Sequence, residues 1–369
     1  MSIVVTGGAG FIGRHLVARL CATRGAFGCA DEPIVVLDNL RRGSRDALDP
    51  LIRSGAVRFV EGDIRDATVV ADAMRGAEYV FHLAAQSNVL GSESDPDYAF
   101  TTNVTGTYNV LQAATAAGAR RLLFTSSREV YGQPAELPAS EHDPLLPKNA
   151  YGASKAAGEM LCRTAAARGN LEIVAARLTN VYGAGDTDRV IPLWLERAAR
   201  GEDLHIYGGS QVLDFIWVGD AVSALVRAAL APQIIFAAAG LLPVESEKRG
   251  FFLPMNAGAG RPTPIRALAG KVRDAIGRPV EIRYLPARSA EVERFVADVS
   301  LLRTVLGLRP EPPLSHLPML AREARAAAGT CNDDNDIYEP VAITGSLATV
   351  TATAPRTTRP RLTLLTRES

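Results

Sequence analysis

The chain has 369 residues, of which 47% are hydrophobic and 22% charged, a composition typical of a globular protein with a sizeable core. Lysine plus arginine and aspartate plus glutamate both number 40, and this balance argues against nucleic acid or an anionic membrane as a partner. The four cysteines lack metal-ligand spacing, the apolar run at 234–244 is too short to span a bilayer, and no signal peptide is recognisable. We therefore expect a reduced cytoplasmic protein without a metal.

Apolar runs alternate with helical patterns through the first half of the chain. The predicted strands are residues 3–5, 34–37, 57–60, 79–83, 122–125 and 173–176. The main predicted helices are residues 66–74, 98–117 and 151–168. Strands that alternate with helices predict an α/β fold, in which helices cover both faces of a doubly wound parallel sheet.

Beyond residue 178 the alternation weakens, and turn-rich segments surround one predicted helix at 191–200. A strand at 215–218 and a helix at 220–230 are expected to return to the main sheet. The predicted domains are a cofactor-binding domain, a smaller mixed α/β substrate lobe, and a tail that is mostly disordered. The cofactor-binding domain comprises residues 1–178 with about 214–257. The substrate lobe comprises residues 179–213 with 258–328, and the tail comprises residues 329–369.

A glycine-rich turn joins the first predicted strand to the first helix, with glycines at Gly7, Gly10 and Gly13. The first permits a sharp turn, the second close approach of a pyrophosphate, and the third close packing of the helix on the sheet. Free N–H groups at a helix start, aided by the helix dipole, favour phosphate. This context predicts a dinucleotide site on a Rossmann-type sheet; a turn without a ligand is the alternative.

A carboxylate, Asp38, ends the second predicted strand and is followed by Asn39. Such a carboxylate accepts hydrogen bonds from the adenosine ribose hydroxyls and repels a 2′-phosphate. Arg41 and Arg42 come next and could receive a 2′-phosphate. Because the aspartate comes first, the sequence favours NAD over NADP.

Tyr151 and Lys155 are four residues apart, so a helix places both on one face. An ammonium group favours a neighbouring phenolate, and we expect Lys155 to lower the pKa of Tyr151, which could then take a proton from a substrate hydroxyl. Ser126 and Ser127 end the fifth predicted strand, where a hydroxyl can donate to the substrate oxygen. His82 ends the fourth and is better explained as a buried structural histidine than as a catalytic group.

Together these motifs resemble the extended short-chain dehydrogenase/reductases, and among them the NAD-dependent nucleotide-sugar epimerase/dehydratase family, nearest the UDP-glucose 4-epimerase type. The resemblance covers about residues 1–320 and includes 177–183, Arg-Leu-Thr-Asn-Val-Tyr-Gly. It implies tightly held NAD, a nucleoside-diphosphate sugar as substrate and oxidation at sugar C4. It also implies a homodimer formed through the helices at 98–117 and 151–168.

The resemblance assigns roles residue by residue. Ser127 matches the catalytic hydroxyl that acts with Tyr151 and Lys155. The implied substrate-binding residues are Ser87, Asn180 and Arg288. The implied NAD-binding residues are Gly7, Gly10, Phe11, Ile12, Gly13, Asp38, Asn39, Asp63, Ile64, Leu83, Ala84, Ala85, Asn103, Ser126, Tyr151, Lys155 and Thr179.

Two positions depart from the family pattern. Leu213 stands where the family usually carries an arginine that clamps the substrate diphosphate, although Arg288 matches a second arginine near the same phosphates. Arg128-Glu129 stands where sugar dehydratases carry Asp-Glu. Glu129 is then either a base at C5 or a solvent-facing partner of Arg128.

Three hypotheses follow for the function. The leading one is epimerisation at C4 through a transient 4-keto sugar. The alternative is a dehydratase or decarboxylase that uses the same oxidation with Glu129 as an extra base. A catalytically silent NAD-binding scaffold is the third, and the presence of both Tyr151 and Lys155 argues against it.

Overall fold

The computed structural model describes residues 2–242, 250–287 and 292–329. The predicted tail therefore lies outside the described residues apart from Gly329. The strands are β1 (Ser2–Thr6), β2 (Ile34–Asp38), β3 (Val57–Glu61), β4 (Ala77–His82), β5 (Arg121–Ser127), β6 (Glu172–Leu178), β7 (Asn180–Tyr182), β8 (Leu204–Tyr207), β9 (Val212–Leu213), β10 (Phe215–Trp217), β11 (Phe251–Ala257), β12 (Thr263–Pro264) and β13 (Ile282–Leu285).

The helices vary from one turn to five turns. They are α1 (Phe11–Thr23), α2 (Asp49–Arg53), α3 (Ala67–Ala73), α4 (Val89–Ser94), α5 (Pro96–Phe100), α6 (Thr107–Ala116), α7 (Ala150–Arg168), α8 (Val190–Ala199), α9 (Val218–Leu230), α10 (Gln233–Ala238), α11 (Ile265–Ile276), α12 (Ser300–Thr304) and α13 (Leu317–Ala327). None of the helices in the described residues is long and apolar enough to cross a membrane.

Seven strands form one sheet in the order β3-β2-β1-β4-β5-β6-β11, and every neighbouring pair is parallel. The chain leaves β1 toward one edge and returns at β4 to build the other half. The strand order therefore reverses between β1 and β4, and parallel sheets bind ligands outside the carboxyl ends of their strands at such a point. The predicted doubly wound Rossmann-type sheet is confirmed.

Helices cover both faces of this sheet, which explains why its central strands are almost continuously apolar. Helices α1 and α9 pack on one face, around Leu16, Leu20 and Leu225. Helices α3, α6 and α7 pack on the other, around Val110 and Cys162. This burial holds the strand ends, where the candidate site lies, in fixed relative positions.

The structure corrects the prediction that the strand at 215–218 returns to the main sheet. Strand β10, expected there, pairs with β7 in a separate two-stranded ladder, although α9 does pack on β5 and β6. The seventh strand of the sheet is β11, which pairs with β6 and contains Pro254. Proline lacks an N–H donor and is tolerated at a sheet edge, the position that β11 occupies.

The predicted helix at 98–117 begins earlier and is not one regular helix. It comprises α5, a π-helical turn at Thr101–Gly106, and α6. Apolar periodicity does not reveal such a turn, because the side-chain pattern continues through it. The π-helical turn points the Asn103 side chain toward Gln86, behind the wall of the site.

A third apolar cluster lies beside the carboxyl edge of the sheet. It joins α8, α11 and α13 around Trp194, Leu268 and Leu320. Strand β13 pairs in parallel with β8 on the same side. This cluster forms the wall that faces the sheet across the candidate site.

Candidate active site

A cleft of about 740 Å³ opens at the carboxyl ends of the parallel strands. Its floor includes the turn between β1 and α1 and the ends of β2, β4, β5 and β6. Its opposite wall includes Trp194, His205 and Leu213. The predicted site residues that line it are Gly7, Gly10, Phe11, Ile12, Gly13, Asp38, Asn39, Ile64, Leu83, Ala84, Ala85, Ser87, Ser126, Ser127, Glu129, Tyr151, Lys155, Thr179 and Asn180.

The glycine-rich turn has the geometry expected of a dinucleotide site. Gly7 has φ +72°, and a Cβ there would lie 2.5 Å from the Ala84 nitrogen. A Cβ at Gly13 would lie 2.1 Å from the Gly7 oxygen, so the start of α1 packs directly on the turn. At Gly10 the nearest such contact is 3.4 Å, and no side chain of the described residues caps α1. The turn thus leaves backbone N–H groups for an anionic group.

Asp38 is buried at the end of β2 and supports the turn. Its Oδ2 accepts a hydrogen bond from the Ala9 nitrogen at 2.9 Å, and its Oδ1 accepts one from the Leu40 nitrogen at 2.8 Å. Each carboxylate oxygen can accept a further hydrogen bond. The carboxylate can therefore receive ribose hydroxyls while it stabilises the loop, and burial raises its pKa above the usual range.

The two arginines after Asp38 are held by protein partners. The Arg41 guanidinium stacks 3.6 Å from the Tyr98 ring centroid and lies 3.4 Å from Asp95. Arg42 donates to the Ser87 hydroxyl at 2.9 Å and pairs with Asp188. Both contacts compete with binding of a 2′-phosphate, in agreement with the prediction of NAD.

Residues 183–189, which we call the strap, cross the cleft from β7 to α8. Asp188 accepts from Asn88 Nδ2 at 2.8 Å as well as from Arg42. His15, on α1, lies 2.9 Å from the Ala184 oxygen. The strap is therefore tied to the loops after β2 and β4 and to the helix that follows the glycine-rich turn.

Ser127 and Tyr151 come together at the centre of the cleft. Tyr151 lies in the first turn of α7, and its phenol is near enough to the Ser127 hydroxyl at the end of β5 for that hydroxyl to favour the phenolate. The neighbouring Ser126 hydroxyl instead donates to Glu159 Oε1 at 2.5 Å, away from the phenol. Of the two serines, Ser127 is thus the one placed to act with the tyrosine.

Lys155 is buried one turn after Tyr151 and donates to the Thr125 oxygen at 2.8 Å. Burial lowers its pKa to about 8. The predicted lowering of the Tyr151 pKa is not found in the protein alone: burial raises that pKa, while the nearby Ser127 hydroxyl and the Arg189 charge act in the opposite direction.

Glu129 lines the cleft. It does not face solvent, in contrast to one of the two interpretations drawn from the sequence. Its side chain pairs with Arg128 Nη2 at 2.8 Å, and both residues are buried. Its second carboxylate oxygen accepts from Asn149 Nδ2 at 2.9 Å. The interpretation was right about the pairing with Arg128 and wrong about exposure.

A buried polar network behind the cleft was not indicated by the sequence. Arg177 Nη2 lies 2.7 Å from Glu159 Oε2, and Arg177 Nη1 donates to the Tyr131 hydroxyl at 2.8 Å. Through Glu159 the network reaches Ser126. These side chains come from β5, the turn that follows it, β6 and α7, and only the tertiary fold brings them together.

Asn103 and Asp63 lie away from the cleft, whereas Asn180 lines it. Asn103 is buried behind the cleft wall, where its amide donates to Ser154 Oγ at 2.8 Å, and the Asp63 side chain pairs with Arg65 outside the wall. Asn180 reaches the cleft while its amide donates to the Asp214 oxygen at 2.9 Å. Arg288 lies outside the described residues.

His82 is buried, as the sequence analysis predicts. Its Nδ1 lies 2.7 Å from Thr6 Oγ1, and its Nε2 lies 3.0 Å from Thr107 Oγ1. Burial lowers the pKa of His82 to about 3. The neutral ring thus joins β1, β4 and α6 behind the cleft.

Two functional candidates became visible only in the structure. Arg189, at the end of the strap, lines the cleft and donates to Asp186 Oδ1 at 2.8 Å. Asn149 accepts from the Gly152 nitrogen at 2.8 Å and so caps α7. An asparagine just before a predicted helix is a usable capping signal, whereas the position of Arg189 depends on the path of the strap.

Comparison with known proteins identifies relatives of this chain. The model for the NAD dependent epimerase/dehydratase family matches residues 3–236. The UDP-glucose 4-epimerase of Mycolicibacterium smegmatis is 34% identical over 322 residues, which cover 85% of this chain and 95% of that protein.

Two crystal structures illustrate the similarity of fold. DesIV, a dTDP-glucose 4,6-dehydratase from Streptomyces venezuelae with NAD and TYD bound, superposes with a TM-score of 0.79 and 30% identity over 89% of this chain and 98% of that one. The UDP-glucose 4-epimerase of Thermotoga maritima with UDP-glucose has a TM-score of 0.76 and 29% identity, over 89% and 99%.

Proposed function

The chain belongs to the NAD dependent epimerase/dehydratase family, and we propose that it inverts C4 of a nucleoside-diphosphate sugar through a transient 4-keto sugar. The observation that carries this proposal is that Ser127 and Tyr151 lie together in the cleft that Lys155 and the glycine-rich turn also line. A paired serine and tyrosine can exchange a proton with a sugar hydroxyl.

NAD fits the residues of this cleft. The open start of α1 suits a pyrophosphate, and Asp38 suits the adenosine ribose. The Thr179 hydroxyl is buried at the cleft with no hydrogen-bond partner in the described part of the chain, so a bound group would satisfy it. When bound, NAD supplies the hydride acceptor for oxidation at C4 and the donor for the return.

The chain's own residues handle the proton. Tyr151 takes the proton of the C4 hydroxyl as the ketone forms and returns it when the alcohol is restored. Ser127 donates a hydrogen bond to the C4 oxygen. If the 4-keto sugar rotates in the cleft before it is reduced, it presents its other face. The hydrogen then returns to the opposite face of C4. The product is then the C4 epimer, with no net redox change.

Charge at the site supports this proton transfer. Burial keeps the Tyr151 phenol protonated in the protein alone, and the Arg189 charge opposes that effect. The positive charge that NAD⁺ brings would favour the phenolate further. Lys155, with a pKa of about 8, is charged at neutral pH and would also hold the nicotinamide ribose.

The substrate class is proposed from the relatives. The Thermotoga maritima epimerase was crystallised with UDP-glucose. In this chain we assign contacts with the substrate to Ser87, Asn180 and Arg288. Leu213 lines the cleft where the family arginine is expected, and we assign to Arg189, which also lines the cleft, a role in assisting the diphosphate.

A dehydratase or decarboxylase is the second candidate. It is favoured by the position of Glu129, a carboxylate that lines the cleft beside Ser127. The similarity to DesIV, a dehydratase, points in the same direction. Both reactions begin with the oxidation at C4. A dehydratase then needs a base, whereas a decarboxylase loses a carboxyl group.

A homodimer is also part of the proposal. Phe100, Tyr108 and Met160 are large apolar side chains that are exposed on α5, α6 and α7. Apolar side chains left exposed on neighbouring helices favour contact with another protein surface. A second copy of the chain is the partner that the family resemblance implies.

The test is to incubate the purified protein with a panel of nucleotide sugars and to follow the products by NMR. A new C4 stereoisomer without net NADH supports the epimerase. Loss of water or carbon dioxide supports the second candidate. No turnover by wild type, or equal turnover by Tyr151→Phe, would contradict both.

A further inference from the structure

Glu129 is the base that a dehydratase would need, but both of its carboxylate oxygens are engaged. Oε1 forms an ion pair with Arg128 Nη2 at 2.8 Å, and Oε2 accepts a hydrogen bond from Asn149 at 2.9 Å. All three residues are buried. An ion pair and a hydrogen bond between buried groups together hold a carboxylate in one orientation. A proton taken from carbon would neutralise the Glu129 carboxylate and so weaken both of these contacts.

The contact with Asn149 reaches the start of the helix that carries Tyr151. The Asn149 side chain accepts from the Gly152 nitrogen at 2.8 Å while it donates to Glu129. The amide of Asn149 is thereby fixed by groups on both sides. Glu129 thus orients the capping side chain two residues before the tyrosine.

The backbone of Glu129 contacts the site as well. A Cβ at Gly152 would lie 2.5 Å from the Glu129 oxygen, so the first turn of α7 rests directly on this residue. The Glu129 nitrogen donates to Ser127 Oγ at 3.2 Å. Glu129 therefore contacts residues on both sides of Tyr151 in the sequence and the serine that lies next to the phenol.

We propose that Glu129 is a positioning residue that fixes the Ser127–Tyr151 pair, and that it does not act as a base toward a carbon of the sugar. The proposal rests on the proposed function for the role of Tyr151. It favours the epimerase over the dehydratase, because it removes the only base that the sequence offered for C5.

The first experiment follows C5 of the sugar during turnover in D₂O. A base at C5 would exchange that hydrogen with solvent. We expect no deuterium at C5 with the wild type. In Glu129→Gln, kcat should fall about tenfold while KM stays within about twofold, because one oxygen acceptor is replaced by an amide donor. Deuterium at C5 that Glu129→Gln abolishes would overturn the proposal.

The second experiment needs no substrate. Asn149→Ser keeps a good helix cap but cannot reach Glu129. In both Glu129→Gln and Asn149→Ser, hydrogen–deuterium exchange at the Gly152 and Ala153 amides should be about tenfold faster. The matched control is Glu136→Gln, the same change at an exposed position, which should leave exchange unchanged.

The two experiments separate the possible failures. Unchanged amide exchange in Glu129→Gln would contradict the positioning role even if an epimer is formed. If no nucleotide sugar is converted, the proposed function fails, while faster exchange in both variants would still support the contact between Glu129 and the helix start. A kcat in Asn149→Ser equal to wild type would also contradict the proposal.

Discussion

Tyr151 is subject to opposing influences at the scale of single residues. Burial disfavours its phenolate, whereas the nearby Ser127 hydroxyl and the Arg189 charge favour it. The sequence placed tyrosine and lysine on one helix face, which follows from their spacing. It could not show that Lys155 would donate to the Thr125 carbonyl, because that contact depends on how closely α7 approaches β5.

The two adjacent serines should differ in their effect on the reaction. Ser127→Ala removes the hydroxyl that lies beside the phenol, and kcat should fall about 100-fold. Ser126→Ala removes a hydroxyl bonded to Glu159, so we expect lower stability and at least about tenfold less effect on kcat. Steady-state kinetics and urea unfolding of both variants provide the measurement. An equal loss of kcat would contradict the assignment of Ser127.

His82 should make stability depend on pH below neutrality. Its pKa is about 3 in the folded protein and about 6.5 in an unfolded chain, so the unfolded state binds the proton first as the pH falls. The contribution is present above pH 6.5 and is lost toward pH 3. Between pH 7 and pH 5, the free energy of unfolding should fall by about 2 kcal/mol through this group.

His82→Gln isolates this contribution, since glutamine does not titrate. The difference in unfolding free energy between wild type and variant should shrink by about 2 kcal/mol from pH 7 to pH 5. Urea unfolding at the two pH values measures it. A difference that does not change with pH would show that the ring is not held neutral.

At the scale of elements, the strands and helices that carry the cleft were predictable from apolar runs and the glycine-rich turn. Two errors have physical causes. Pro254 obscures the strand signal of β11, and the edge position that makes it acceptable depends on the finished sheet. Strand β10 has a clear apolar pattern, but a pattern does not identify the partner strand, which is β7.

The strap should affect retention of NAD. Asp188→Ala removes the acceptor of Arg42 and Asn88, which tie the strap to the loops after β2 and β4. Because such partly exposed pairs contribute up to about 1 kcal/mol, NAD should dissociate about threefold to fivefold faster. Stopped-flow release of the bound nucleotide measures the rate.

The matched control for the strap is Asp274→Ala, which removes an exposed partner of Arg273 on α11. It should leave the release rate unchanged. Equal release from wild type and Asp188→Ala would show that the strap does not restrain the cofactor.

At the scale of the whole molecule, the α/β class and the parallel sheet followed from the alternation of strands and helices. The third apolar cluster could not be assembled from sequence, because α8, α11 and α13 are separated by long stretches of chain. The predicted division into two domains and a tail stays a prediction. So does the role of Arg288.

The proposed dimer can be disrupted at one residue. Phe100→Glu places a charge on an exposed apolar position of α5, and the dimer should dissociate to a chain of 39.2 kDa. Ile234→Glu makes the same kind of change on α10 and should leave the dimer intact. Sedimentation velocity distinguishes the two. A wild-type monomer, or dissociation only in the α10 variant, would contradict the proposed interface.

The central claim is that the hydrogen on C4 leaves the sugar and returns to the same carbon while Tyr151 carries the hydroxyl proton. The most direct measurement uses a nucleotide sugar deuterated at C4 and follows the label by NMR in ordinary water. We predict an inverted C4 that retains its deuterium, and no reaction with Tyr151→Phe. Deuterium lost from C4 to water, or found elsewhere on the sugar, would contradict the account.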